Sequence, residues 1–150
     1  MTTPLFTIEE LLPHRDTMCL IDRIVQVNEK EAVTEARPRE NWPLYRRNAV
    51  SSLLAVELGA QTAGILIGHK ERQAKGGLAR GRGWLVGIRQ TRFHRSEFPL
   101  GTPVTTRARL GFSYDTYVEI EATAMSGVRT VAEMALQFFW DTEKMTDRMT

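Results

Sequence analysis

Ala49-Val50-Ser51-Ser52-Leu53-Leu54-Ala55-Val56-Glu57-Leu58-Gly59-Ala60-Gln61-Thr62-Ala63-Gly64-Ile65-Leu66-Ile67-Gly68-His69 is the stretch on which the fold turns. From Asn48 to Gly68, Glu57 is the only charged residue. The run is long enough to cross a bilayer, yet it also carries Ser51, Ser52, Gln61, Thr62 and three glycines. A charge at the centre of a spanning helix costs roughly 2.5–3.5 kcal/mol on insertion scales. The better reading is one long helix from Ala49 to His69, capped by Ser51 or Ser52 and wrapped inside a soluble protein. No membrane association is expected.

Upstream, Thr7-Ile8-Glu9-Glu10 has the capping-box pattern and opens a short helix that Pro13 closes. Met18 to Val27 reads as a strand, Asn28-Glu29-Lys30 as a turn, and Glu31 to Ala36 as the returning strand. Pro38 to Asn48 is irregular, broken by Pro43. Downstream, Lys70 to Gly83 is basic and glycine-rich and reads as a loop. Four extended runs follow: Trp84 to Arg95, Thr102 to Phe112, Thr116 to Met125 and Val128 to Trp140. Ser113-Tyr114-Asp115 and Ser126-Gly127 make short hairpin connections, so the expectation is a four-stranded meander. A helix that is apolar nearly all round needs cover on most sides, and an antiparallel sheet curled around it supplies that. The expected class is α+β, with the hot-dog arrangement of a curled sheet around one central helix.

The 150 residues fit a single domain spanning 1–150, with the last stretch of about ten residues a frayed tail. Cys19 is the only cysteine, so no internal disulfide is possible. The first residues lack a charged and an apolar targeting region, and a reducing, cytoplasmic setting is the default expectation. Twenty basic against eighteen acidic residues give a net charge of +2. That balance does not argue for nucleic acid, and no nucleic-acid partner is expected. Between Arg37 and Arg109, however, fourteen Lys or Arg face only Glu40, Glu57, Glu71 and Glu97. A basic middle section suits an acidic partner.

Leu11-Leu12-Pro13-His14-Arg15 followed by Leu20-Ile21-Asp22-Arg23 resembles the N-terminal signature of the FabZ-type 3-hydroxyacyl-acyl carrier protein dehydratases. Ala55 to Gly64, with a glutamate and then a glutamine four residues on, resembles their central-helix signature. Gly87-Ile88, Arg92-Phe93, Arg95, Pro99 and Gly101 are similar to the strand and bend that follow. The matches run in order over roughly residues 11 to 101. One departure stands out. In those dehydratases a catalytic histidine lies fourteen residues before the helix carboxylate, where this chain has Pro43 within Asn41-Trp42-Pro43-Leu44-Tyr45. Ser51-Ser52 also replaces the usual Pro-Gly before the helix. The pattern resembles a divergent branch, the ApeP-type dehydratase-like proteins, more than a housekeeping FabZ.

Dehydrating a 3-hydroxyacyl thioester needs a base for the C2 proton, an acid for the leaving hydroxyl and donors for the thioester oxygen. Glu57 is the first candidate, because desolvation on an apolar helix raises a carboxyl pKa and lets it hold a proton. Gln61, one turn on, can orient it. The plain alternative for Glu57 is a satisfied buried carboxylate or one facing a subunit interface. The resemblance assigns the backbone N–H of Ser52 to the oxyanion, with ordinary capping as the plain alternative. His14 lies in the matched Pro-His-Arg motif, and a structural role is the first expectation for it, with a catalytic role the alternative. His69, ending the helix, is expected to be solvated or to interact with the helix dipole, and His94, on a strand, to lie at the surface. Tyr45, Asn48 and Ser51 can add polar groups but no base. Arg72, Lys75, Arg80 and Arg82, with Lys70, are the expected docking cations for a carrier protein or the phosphate of its arm. Cys19 is expected in the core of an apolar strand, and Trp42, Trp84 and Trp140 as core or rim aromatics. His14, Cys19 and Asp22 lack metal-ligand spacing, so no metal is expected. Gly76-Gly77 and Gly81-Arg82-Gly83 lack the context of a nucleotide loop.

The leading functional expectation is a dehydratase-like lyase in fatty acid, polyene or polyketide metabolism, using no cofactor. Its partners would be an acyl carrier protein or coenzyme A thioester and further copies of itself, as a homodimer or higher even oligomer. A hot-dog thioesterase, using one helix carboxylate to activate water, and a non-catalytic acyl-binding partner subunit are the alternatives.

Overall fold

A computed structural model of the chain describes residues 6–12, 18–74 and 82–141. Thr7 caps the first helix: its Oγ1 accepts from the Glu10 N–H at 3.3 Å and opens α1 (Ile8–Leu11). Strands β1 (Arg23–Val27) and β2 (Glu31–Ala36) form an antiparallel pair. Asn28 makes their turn, its Oδ1 accepting from the Lys30 and Glu31 N–H groups at 2.8 and 3.0 Å. A small hairpin follows, β3 (Tyr45–Arg46) and β4 (Ala49–Ser51), then a 3-10 turn at Ser52–Leu54 and the long helix α2 (Ala55–Ala74). The rest is β5 (Arg82–Phe93), β6 (Glu97–Pro99), β7 (Val104–Tyr114), β8 (Tyr117–Ser126) and β9 (Arg129–Asp141).

Six strands make one fully antiparallel sheet in the order β1-β2-β7-β8-β9-β5, and a second sheet runs β3-β4-β6. Helix α2 lies against the large sheet, with Ala55, Leu58, Ala63, Ile65 and Leu66 buried against Val104, Ala108, Ile120, Val131 and Leu136. Each fully buried Leu or Ile is worth about 1.5–3 kcal/mol. Side chains at Gly59, Gly64 and Gly68 would collide. A Cβ at Gly59 would stand 2.7 Å from Met134 Sδ, one at Gly64 2.8 Å from Leu12 Cδ2, and one at Gly68 3.1 Å from the Leu11 carbonyl oxygen. These glycines let sheet and α1 close on α2 from two sides. Register shifts in β5, between Leu85 and Gly87 and between Ile88 and Gln90, add the bends that curl the sheet.

The α+β hot-dog arrangement is as expected, but several element boundaries differ. The first strand begins at Arg23, not Met18. The Leu20 N–H and Met18 carbonyl are bonded to the Gln61 side chain rather than to a neighbouring strand. Cys19 therefore lies outside a strand and is half-buried. Ala49–Ser51 is a strand, not the start of the helix, because it pairs with β6, a strand the sequence reading took as part of a bend. The helix runs on through Lys70 to Ala74, five residues with no Gly or Pro to stop it, so the expected loop begins later. The meander has three strands, β7-β8-β9. Strand β5 pairs with β9 at the far edge, because the long passage through β6 separates it from β7, whereas short turns join the others. Asp115 (φ 54°) and Gly127 (φ 59°) sit in those turns in the left-handed region. Pro13 and the expected frayed tail lie outside the described residues.

His69 is also corrected, from surface to interior. It is only 4 % exposed, its ring meets Phe6 edge-on at 5.8 Å, and its Nδ1 has no hydrogen-bond partner among the described residues. Burial holds its pKa below the ordinary histidine value. The unfolded chain therefore takes up the proton first as pH falls. The neutral ring's contribution is complete above the unfolded pKa of about 6.5 and is lost as pH drops below it. His69→Phe, which keeps an aromatic ring beside Phe6, should flatten the fall in melting temperature between pH 7 and pH 5. Parallel melting curves for the two proteins across that range would show the reading of His69 to be mistaken.

Candidate active site

The first turn of α2 carries Glu57, half-buried, and the next turn places Gln61 beneath it with no exposed surface. Gln61 makes three hydrogen bonds, which use both of its N–H donors. Its Oε1 accepts from the Leu20 N–H at 3.0 Å, while its Nε2 donates to the Met18 carbonyl at 2.8 Å and to Glu57 Oε1 at 2.9 Å. The amide orientation follows from its partners, since a backbone N–H must meet oxygen and a carbonyl must meet nitrogen. The expected pairing of Glu57 with Gln61 is therefore formed. The part of Met18 and Leu20 in holding it was missed. No side-chain pattern signals it, because both act through backbone atoms.

The next residue, Thr62, donates from its Oγ1 to the Leu58 carbonyl at 2.8 Å. Its single hydrogen is thereby used, so the buried Thr34 hydroxyl donates to Thr62 in their 2.8 Å contact. This second buried bond ties α2 to β2 behind the site.

The expected oxyanion donor needs correction. The Ser52 N–H donates to the Ser96 carbonyl at 2.9 Å, because the chain entering the helix is still paired with the β6 segment. Ser51 does cap, its Oγ accepting from the Leu53 N–H at 3.3 Å. Tyr45 and Asn48 contact each other across the hairpin at 3.5 Å.

Pro43 is exposed at the position where a histidine was sought. Neither described histidine takes its place. His69 lies twelve residues from Glu57 along α2, roughly 18 Å by helical rise. His94 is exposed, as expected, and its Nε2 pairs with Glu133 at 2.8 Å. His14 falls outside the described residues. Of the expected docking cations, Arg72 stacks over Phe6 at 5.7 Å in the last turn of α2, and Arg82 opens β5. Lys75 and Arg80 lie outside the described residues. Trp42 is buried, whereas Trp84 is exposed and Trp140 packs at the rim, its indole N–H donating to Glu71. Among the described residues no helix is long and apolar enough to cross a membrane.

A curled antiparallel sheet around one helix, with a glutamate held by a buried glutamine on that helix, defines a hot-dog protein of the dehydratase-like kind. A model of the ApeP-like family, described as ApeP dehydratase, matches residues 6–147. The chain belongs to this ApeP-like dehydratase family and is a dehydratase-like lyase. It is 30% identical over 137 residues to the 3-hydroxyacyl-[acyl-carrier-protein] dehydratase FabZ of Streptococcus sanguinis, covering 88% of this chain and 94% of that one. Its fold matches the dehydratase heterocomplex ApeI:P from Xenorhabdus doucetiae with a TM-score of 0.80 at 16% identity, over 96% and 97% of the two chains. A hypothetical thioesterase of Streptococcus pneumoniae, solved with coenzyme A, shares the fold at a TM-score of 0.66 and 11% identity, over 80% and 85%.

Proposed function

We propose that this protein eliminates water from a 3-hydroxyacyl chain held as a thioester on a carrier protein or coenzyme A, with Glu57 as the proton-transferring group. The observation that carries this reading is the hold of Gln61 on Glu57. Gln61 Nε2 can only donate, so Glu57 Oε1 accepts from it and the carboxyl group is held in one orientation. One carboxyl group fixed in this way can deliver a proton to the leaving C3 hydroxyl, which departs as water, while the C2 proton goes to a base and leaves a 2-enoyl thioester. The FabZ relative supports that substrate class. The purified chain, given a carrier-bound 3-hydroxyacyl thioester, should form the enoyl thioester without releasing free thiol. Thiol release with no enoyl product would instead establish the thioesterase alternative.

Pro43 favours a second reading, in which the chain is a partner subunit beside an active homologue. The match to the ApeI:P heterocomplex supports this. The same assay on the chain alone separates the two readings, since a partner subunit leaves the 3-hydroxyacyl thioester unchanged.

Both readings use another chain, and β5 is where it would pair. This strand stands at the edge of the large sheet with Trp84, Val86 and Ile88 exposed by 46, 59 and 49 %. A long apolar edge left open is a template for aggregation, and a second copy laid along it removes the liability. The wild type should sediment as a dimer or higher even oligomer at micromolar concentration, and Ile88→Lys should shift it toward the monomer. A monomeric wild type would count against pairing between copies.

A further inference from the structure

Some of the described arginines meet a carboxylate and others do not. Arg23, Arg39, Arg89 and Arg107 each pair with a carboxylate: Glu35 at 3.1 Å, Asp22 at 2.5 Å, Glu119 at 2.7 Å and Glu31 at 3.1 Å. Arg37, Arg46, Arg47, Arg92, Arg95 and Arg129 are exposed and have no ion-pair partner among the described residues. Of these six, Arg46, Arg47, Arg95 and Arg129 line two adjoining open clefts of about 740 and 510 Å³ that share Ser96 and Glu97. Glu97 is the one carboxylate among the described residues of either wall, which leaves three positive charges in excess when His94 is counted as neutral.

Arg47 adds an independent sign. It holds φ 51° and Asn48 φ 63°, the pair of left-handed residues in the two-residue turn between β3 and β4. Glycine or asparagine suits such a position, and a long side chain there carries strain. Among the described residues no hydrogen bond or ion pair of the Arg47 side chain offsets that strain, and a partner outside the chain would. The location fits the active-site reading as well. The Ser96 carbonyl accepts from the Ser52 N–H, so the shared wall of the two clefts is bonded to the turn leading into α2, and Glu57 follows in the first turn. Lys70 and Arg72 are at the other end of the same helix, with Arg72 roughly 22 Å from Glu57 by helical rise.

We infer that Arg46, Arg47, Arg95 and Arg129 form the surface on which an acidic carrier protein docks, at the Glu57 end of α2 and not at its Lys70–Arg82 end. The inference rests on the thioester reading above. The four charges are spread over two wide clefts rather than converging on one point. That layout matches an extended acidic protein face better than a compact phosphate group.

Direct binding of a fluorescently labelled acidic acyl carrier protein to the full chain tests this without relying on turnover. Reversing Arg46, Arg95 and Arg129 to Glu should weaken binding at least about tenfold and flatten its salt dependence. Reversing Lys70 and Arg72 should leave binding within about twofold. Arg47→Gly should weaken binding while raising the melting temperature, because glycine relieves the strained turn; this variant stays informative if the triple reversal fails to fold. The inference is overturned if wild type does not bind the carrier, if only the Lys70 and Arg72 reversal weakens it, or if random duplex DNA outcompetes the carrier at matched salt. An inactive wild type that still binds the carrier through the four arginines would keep this inference and remove the catalytic one.

Discussion

Glu57→Gln should reduce enoyl-thioester formation by at least about 10²-fold, the usual scale for removing general acid–base help. The amide keeps the volume of the carboxyl group and is cheaper to place in a half-buried setting than a charge. Its carbonyl oxygen can still accept from Gln61 Nε2, so the 2.9 Å contact need not be lost. The variant should therefore melt close to wild type while losing turnover. Circular dichroism and a single-turnover assay on the same preparation give both readouts. A folded Glu57→Gln protein with wild-type turnover would sink the assignment of Glu57, and one with unchanged rates but altered stability would make that residue structural.

Gln61→Leu should damage both stability and rate. Leucine has similar bulk but no polar atoms, so the Leu20 N–H and Met18 carbonyl lose their partner, the former in a fully enclosed setting. Each stranded group costs roughly 1–3 kcal/mol, and together about 2–6 kcal/mol. That loss should be read from the denaturant midpoint. Glu57 also loses the donor that fixes its orientation, so turnover should fall by about tenfold or more, with an altered pH–rate profile. Lost stability with an unchanged pH–rate profile would mean that Gln61 supports the fold and does not position Glu57.

The candidate site was readable because it is local in the chain. Glu57 and Gln61 stand four residues apart on one helix, so spacing alone places them together. The same holds for the Thr7 cap and for β2, whose limits match those read from alternation. Sequence could not show that the helix begins only after a strand. Ala49-Val50-Ser51 is as apolar as the helix that follows, and it is the antiparallel contact with Glu97–Pro99, about fifty residues away, that extends it. That same contact brings the Ser96 carbonyl to the Ser52 N–H and removes the expected oxyanion donor. Periodicity cannot report such a bond, because it joins two backbone atoms from distant segments.

What the sequence determined by itself was the hot-dog class, through one long apolar helix among β-patterned runs, and the Glu57–Gln61 pair on that helix. Tertiary structure decided strand order, with β5 sent to the far edge beyond β9, and the burial of His69, whose place at the helix end suggested solvent. It also decided which arginines remain without carboxylate partners. Arg46 and Arg47 are neighbours in one hairpin, but Arg95 and Arg129 come from two distant segments, and only folding sets all three segments around the same pair of clefts. Helical spacing is a property of neighbours in the chain, whereas strand order, side-chain burial and ion pairing depend on which distant segments meet.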